Sequence, residues 1–230
     1  MLPTGPHSMT FQFHLPKDIA VSSYHNEYFG WVRYVISAVV EFPSDGCLAI
    51  IAGSNEMKLE KTITVHALLS KNAYPELASP ACQEDTVELV GCLGKQGQLL
   101  ASLQVPYSGY LHGETISAVI HLANRSRKKP KRAPVMALCQ QVHFTAMNRY
   151  EAHLFDNKEM TQVVETVSVP APEPAEDIVR TVPMVIPSGL PPSSVPKQGQ
   201  QEKAIKIGYF LKLDMDAFEI STPIVICTAE

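Results

Sequence analysis

Alternation of apolar and polar residues recurs in segment after segment, and it constrains the fold of this 230-residue chain more than any other feature. A period of two places every second side chain on one face of an extended strand, whereas an amphipathic helix needs apolar spacings of three and four. In the segment KAIKIGYFLKLDM, Ile205 and Ile207 begin a row of apolar residues on one face, and Lys206 lies on the other. Such a strand packs one face on a core and exposes the other to water.

About ten segments carry a strand pattern, and turn residues separate them. The predicted strands cover residues 11–15, 32–40, 63–67, 99–105, 116–122, 135–145, 162–169, 178–186, 205–213 and 218–227. Pro223 assigns the last of them to an edge position or a bulge, because proline cannot donate to a strand ladder. Eighteen prolines also disfavour a helical bundle. The sequence therefore predicts an all-β protein of antiparallel sandwich type.

A stretch with a weaker pattern, residues 71–97, separates two regions rich in predicted strands. We place the domain boundary in this stretch, with a first domain and linker at 1–90 and a second domain at 91–230. Two proline-rich segments, 170–177 and 187–201, interrupt the second region, and we expect both to be exposed, mobile loops.

The motifs that usually carry chemistry are missing from the sequence. None of the eight histidines and five cysteines forms a His-x-x-x-His or Cys-x-x-Cys pair, and there is no Gly-x-Ser-x-Gly or Gly-x-x-x-x-Gly-Lys motif. Gly91, Gly94 and Gly97 do not follow a strand into a helix, so they fail the dinucleotide fingerprint. We expect no catalytic residue, no cofactor and no metal, although distant residues that meet in the fold could still form an enzyme site.

Charge is concentrated at one place in a chain whose net charge is −4 at pH 7. The acidic balance disfavours nucleic acid as a partner. The cluster NRSRKKPKR lies between two predicted strands and contains Arg125, Arg127, Lys128, Lys129, Lys131 and Arg132. One interpretation is a solvated hairpin loop, a second is a contact site for an anionic lipid or a phosphorylated partner, and the least favoured is nuclear import or nucleic-acid binding.

The region from Phe11 to Tyr34 resembles the late N-domain segment of arrestin-domain proteins. It combines a Phe-x-Phe-x-Leu-Pro run, a turn that contains serine, and a strand written roughly as Gly-x-hydrophobic-Arg-Tyr. The matching residues are Phe11, Phe13, Leu15, Pro16, Ser22, Ser23, Gly30, Val32, Arg33 and Tyr34.

A second region is similar to the opening of the arrestin C-domain, with a Gly-Tyr pair, a Gly-Glu turn, an Ile-rich strand and an Asn-x-Ser turn beside basic residues. The matching residues are Gly109, Tyr110, Gly113, Glu114, Ile116, Asn124, Ser126 and Phe144. The segments IKIGYFLKLDM and ISTPIVICT resemble the closing strands of the family. The short loops are more similar to the α-arrestin, or arrestin domain-containing, branch than to visual and β-arrestins.

This resemblance implies two immunoglobulin-like antiparallel β-sandwich domains of the arrestin type. The first is expected to be incomplete, because several family N-domain strands have no counterpart here. The resemblance also implies a non-enzymatic cytosolic adaptor, recruited to the plasma membrane and endosomes, that binds membrane receptors or transporters and guides their ubiquitination, endocytosis or sorting.

Its partners would be cytosolic cargo tails, ubiquitin ligase machinery and an anionic membrane surface, although the WW-binding Pro-Pro-x-Tyr motif is absent from this chain. The absence of a secretory signal in the first fifteen residues agrees with a cytoplasmic location. A retromer-type sorting subunit and a purely structural β-sandwich module remain alternatives.

Overall fold

The computed structural model describes residues 5–16, 19, 21–41, 56–91, 94–151, 153–195 and 203–229. Within these ranges the chain forms thirteen strands and two short 3-10 turns, which confirms the all-β prediction. The strands are β1 (Tyr24–Asn26), β2 (Gly30–Val32), β3 (Tyr34–Glu41), β4 (Glu56–Ile63), β5 (Ala81–Gly91), β6 (Gly94–Val105), β7 (Gly109–Leu111), β8 (Thr115–Ser126), β9 (Val135–Met147), β10 (Phe155–Ser168), β11 (Asp177–Val185), β12 (Ile205–Asp214) and β13 (Glu219–Cys227). The 3-10 turns cover Lys71–Ala73 and Pro75–Ala78.

Strands β5 to β13 form a sandwich of two sheets. One sheet has the order β10-β9-β12-β13-β7 and the other has the order β11-β8-β6-β5. All neighbours are antiparallel except β7 and β13, which pair in parallel. A single hydrophobic core takes side chains from both sheets, including the fully buried Ile120 of β8 and Leu211 of β12. Burial alternates along both strands, as the sequence pattern predicts.

Pro223 occupies a locally unpaired side of β13. The amide of Val225 donates to the carbonyl of Ser108, so the odd-numbered residues of this part of β13 direct their backbone groups toward β7. The pairing with β7 begins only at Val225, two residues beyond the proline. Its missing N–H therefore breaks no ladder bond at this position. Strand β13 as a whole lies between β12 and β7, so the prediction of an edge position or a bulge holds only in this local sense.

Residues 24–63 contribute two separate two-stranded sheets, β1–β2 and β3–β4. The β1–β2 hairpin packs on one end of the sandwich through aromatic contacts. The rings of Tyr24 and Phe29 lie 5.9 Å and 5.5 Å from the ring of Phe144. The Asn26 amide also contacts the sulfur of Met160.

Two predicted strands of the first region are wrong in whole or in part. Residues 11–15 form no strand, and their rings at Phe11 and Phe13 stack on each other in solvent at 5.7 Å. The predicted strand 63–67 overlaps β4 only at its first residue. Beyond it, the hydroxyls of Ser23 and Ser22 accept the amide protons of Val65 and Ala67, which a neighbouring strand would otherwise bond.

The segment at 71–97, interpreted as a weakly patterned connection, contains the whole of β5. This strand pairs with β6 along its length and is the outer strand of the four-stranded sheet. Most of its described side chains are exposed, so its sequence lacks the apolar alternation that revealed the other strands. The division of the chain at residue 90 stays a prediction.

The second proline-rich segment is bound to the sandwich over its described part, 187–195, and residues 196–201 lie outside the described residues. Ser193 and Ser194 donate their amides to Ile226 of β13 and Ile207 of β12, and their hydroxyls accept the amides of the same two residues. The expectation of an exposed, mobile loop is therefore wrong at these serines, because their hydroxyls let the segment bridge two strands.

We expect Leu211→Ala to lower the free energy of unfolding by about 2 to 5 kcal/mol, because it leaves a cavity between the two sheets. Thr161→Ala on the exposed side of β10 should cost about 0.5 kcal/mol or less. Urea unfolding of both variants measures the difference, and equal losses would contradict the assignment of the core.

Acid should weaken the contact between the 64–69 segment and the sandwich. The His66 ring lies 6.2 Å from the His112 ring, whose Nε2 is 2.7 Å from the Leu190 carbonyl. Burial, and secondarily the neighbouring His112, lower the pKa of His66. Histidine in the unfolded chain has its ordinary pKa of about 6.5. Below that pH the unfolded state therefore binds more protons than the folded state, and stability is lost as the pH falls toward the pKa of His66 in the folded state.

We therefore expect the urea concentration at the unfolding midpoint to decrease as the pH drops below about 6.5. The decrease should be less steep in His66→Gln. His153→Gln is the matched control, because that side chain is largely exposed. If both variants keep the slope of the unmodified chain, His66 does not carry this effect.

Candidate functional site

The basic cluster begins on the last residues of β8, where the strand changes from an apolar to a polar inner face. Asn124 and Ser126 continue the inward row of Leu122 and are buried, while Arg125 points outward. The strand period therefore exposes the first cation and buries an amide and a hydroxyl beneath the loop that follows.

The Asn124 side chain holds the loop from below. Its Nδ2 donates to the carbonyls of Lys128 and Pro172 at 2.9 Å and 3.2 Å. Its Oδ1 accepts from the Ser126 amide at 3.0 Å and lies 2.6 Å from the Ser126 hydroxyl. The buried amide thus has partners on both of its polar atoms, as its burial requires.

Gly97 lets β6 approach this turn. Its φ is +122°, and a Cβ at this position would lie 2.3 Å from the Arg125 carbonyl oxygen. A side chain there would push β6 away from the end of β8. Both the positive φ and this close approach therefore require glycine.

The acidic segment 170–177 lies directly against the basic loop. The backbone N–H of Asn124 donates to the Glu176 carbonyl, and the backbone N–H of Ala175 donates to the Asn124 main-chain carbonyl, both at 2.8 Å. Ala175 has a φ of 62°, a left-handed conformation that alanine rarely adopts. His121 and Asp177 form an ion pair when the histidine is protonated. Two loops that are far apart in sequence therefore form one charged surface.

The structure places all six predicted site residues on the exposed surface of the turn, and it separates them into two groups. Lys129 pairs with Glu173 of the acidic segment, and Arg132 lies 3.5 Å from Asp216. In the described part of the chain, no carboxylate forms an ion pair with the remaining four. These are Arg125, Arg127, Lys128 and Lys131.

Such an arrangement has the chemistry to bind anions. Guanidinium and ammonium groups donate hydrogen bonds to phosphate or carboxylate oxygens. The Asn124 side chain, the hub beneath the turn, fixes the backbone at Lys128. Part of the entropy cost of ordering the turn is therefore met before a ligand binds. The assignment of these residues to a partner stays a prediction.

Sequence reasoning missed the two carboxylates that neutralise part of the cluster, Glu173 and Asp216, because the fold alone brings them to the turn. It also missed the structural role of Asn124. A usable signal was present, since Asn124 takes an inward position in the alternating row of β8 and therefore needs buried partners.

A second group of polar residues lies in an open groove on the outer face of the five-stranded sheet. His143 and Glu159 lie 3.5 Å apart there, but the nearby Thr145 hydroxyl donates to Asn157 and not to the histidine. Among the described residues no three His, Cys, Asp or Glu side chains are placed to hold a metal. Nor does any helix in those ranges have the length and apolar character to cross a bilayer.

Comparison with known proteins agrees with this architecture. The family described as Arrestin (or S-antigen), C-terminal domain, matches residues 95–230. "Arrestin domain-containing protein 17" of Caenorhabditis elegans is 27% identical over 235 residues, which cover 98% of this chain and 49% of the relative. "Arrestin domain-containing protein 15" of the same organism is 25% identical over 237 residues, covering 98% of this chain and 58% of the relative.

A mammalian relative shows the same relation, since "Arrestin domain-containing protein 1" of Mus musculus is 27% identical over 222 residues, 95% of this chain and 45% of its own length. The chain spans about half the length of the curated relatives it matches. The family match covers more than half of the chain, and the fold is the all-β sandwich that such a match requires. The chain therefore belongs to the arrestin family, in the branch of the arrestin domain-containing proteins.

Proposed function

We propose that this chain is a non-enzymatic adaptor in membrane-protein trafficking, which binds the cytosolic tails of receptors or transporters and guides their ubiquitination, endocytosis or sorting. Membership of the arrestin family supports an adaptor role. One observation supports a specific surface for this role: four cations that have no ion-pair partner among the described residues lie on a turn that the buried Asn124 holds.

In this proposal the four cations receive anionic groups of the cargo. Phosphate on a cytosolic tail offers several oxygens to guanidinium and ammonium donors, and carboxylates offer two. A neighbouring anionic membrane would add attraction to the same turn, because basic residues close to acidic lipid are each stabilised by about 1 kcal/mol at low salt.

The cellular setting is part of the proposal. The adaptor acts in the cytoplasm and is recruited to the plasma membrane and endosomes with its cargo. Ubiquitin ligase machinery is a further partner of the adaptor in this proposal. The domain division is part of the proposal, with residues 1–90 as N-domain and linker and residues 91–230 as the C-domain that presents the basic turn; strand β5, which pairs with β6, then counts as the end of the linker.

Replacing Arg127, Lys128 and Lys131 by glutamine should weaken binding of a synthetic peptide that carries several phosphoserines by about 10 to 100-fold at low salt. The same change should flatten the dependence of binding on salt, because fewer ionic contacts remain. Fluorescence anisotropy across a salt series measures both effects.

The matched control replaces three exposed cations elsewhere, Lys61, Arg149 and Arg180, by glutamine and so changes the net charge equally. Vesicles of phosphatidylcholine with and without phosphatidylserine form a second arm, which separates a membrane contact from a phosphopeptide contact. If the turn variant and the control bind equally well in both arms, the cluster is only a solvated hairpin loop.

Asn124→Ala tests whether the buried hub prepares the turn for binding. It should lower the free energy of unfolding by about 1 to 3 kcal/mol, because the Pro172 carbonyl loses its buried donor and the Lys128 carbonyl is left with the Ser126 hydroxyl. Hydrogen exchange should rise at 127–133 and 171–176, and phosphopeptide affinity should fall although every cation remains. If hydrogen exchange rises but the phosphopeptide affinity stays unchanged, charge alone determines binding.

A further inference from the structure

The acidic segment directs one of its carboxylates at the basic turn. Its three carboxylates have different partners among the described residues. The Glu176 carboxylate accepts the backbone N–H of Glu173 at 2.6 Å, and the Asp177 carboxylate contacts His121. The Glu173 carboxylate instead pairs with Lys129 of the basic turn. Glu173 is therefore the acidic side chain of this segment that occupies a cation of the candidate site.

The backbone on both sides of Glu173 is anchored beneath the turn. On one side the Pro172 carbonyl accepts the Asn124 side chain, and on the other side the Glu176 carbonyl accepts the backbone N–H of Asn124. The Glu176 N–H also closes a turn onto the Glu173 carbonyl at 3.0 Å. Prolines at 172 and 174 restrict the chain further, because the proline ring fixes φ. The Glu173 carboxylate is therefore an anion attached to a fixed backbone beside the turn.

Attachment to the same chain gives this carboxylate an advantage over an anion in solution. A tethered group acts at an effective concentration of about a millimolar, whatever the concentration of free ligand. The pair itself remains open to exchange, because the side chains of Lys129 and Glu173 are 53% and 58% exposed. Exposed ion pairs are weak, so a ligand that carries several negative charges is able to displace the glutamate.

We propose that Glu173 makes an autoinhibitory contact with the basic turn, as a built-in competitor that withholds Lys129 from an anionic partner. The inference rests on the proposed function, because it concerns the same turn, and it adds a regulator to that site. A partner with few charges binds the four cations that have no ion-pair partner among the described residues. A partner with several phosphate groups also reaches Lys129, and its affinity is reduced because it must first break the internal ion pair.

Glu173→Gln in the full 230-residue chain tests this contact. Fluorescence anisotropy at low salt gives the dissociation constant of a synthetic peptide that carries several phosphoserines. The variant should lower that constant about two- to fivefold, because the peptide no longer has to displace a carboxylate from Lys129. The gain should shrink as the salt concentration rises, since salt screens exposed charges. Circular dichroism checks that the variant remains folded.

Two control variants separate direct competition from a general effect of charge. Glu176→Gln removes the same charge from the same segment, and its side-chain oxygen can still accept the Glu173 N–H. It should change the dissociation constant by less than about 1.5-fold, because Glu176 withholds no cation of the turn. Glu60→Gln breaks an ion pair of similar exposure with Lys58, on β4 outside the sandwich, and should leave peptide binding unchanged.

The turn variant, in which glutamine replaces Arg127, Lys128 and Lys131, is measured in parallel and distinguishes the two proposals. If the turn variant loses binding but Glu173→Gln binds no more tightly than Glu176→Gln, the turn is the site and only the autoinhibitory contact is overturned. If the turn variant binds as well as the unmodified chain, or if no form of the chain binds the peptide, the proposed site and the contact both fail. A gain confined to Glu173→Gln supports the contact.

Discussion

A buried amide at the end of β8 organises the surface on which the candidate function depends. The inward row of β8 is apolar as far as Leu122 and then places Asn124 where no water reaches it. An amide in that position must find all its partners within the protein. It finds them in the basic turn and in the acidic segment, so the same residue that ends the apolar core also fixes two loops of opposite charge side by side. Removal of this hub would free both loops while leaving the core of the sandwich in place.

The neighbouring acidic segment modulates the basic turn without cancelling it. Glu173 pairs with Lys129 and Asp216 with Arg132. The other four cations face solvent, where each is screened by salt but is also available to a partner. The resulting site is therefore a local positive field in an acidic chain, with a backbone geometry set by hydrogen bonds and not by the charges themselves.

Strand periodicity predicted the sandwich because each core strand has one dry and one wet face. Strands such as β8 and β12 were predictable for that reason. The errors occurred in segments that do not have one buried and one exposed face. Strand β5 is exposed on most of its described positions, and segments 64–67 and 193–194 bond to neighbours through serine hydroxyls, which leave no periodic trace in the sequence.

The candidate site was predictable to the same degree. Six cations in one turn are visible in the sequence, but their counterions are not, because Glu173 and Asp216 approach only through the tertiary fold. The charge itself is written in the sequence, while its effect depends on what the fold sets opposite to it. Within the described residues the fold sets two carboxylates against six cations, and the proposed binding of anions rests on the four cations that remain.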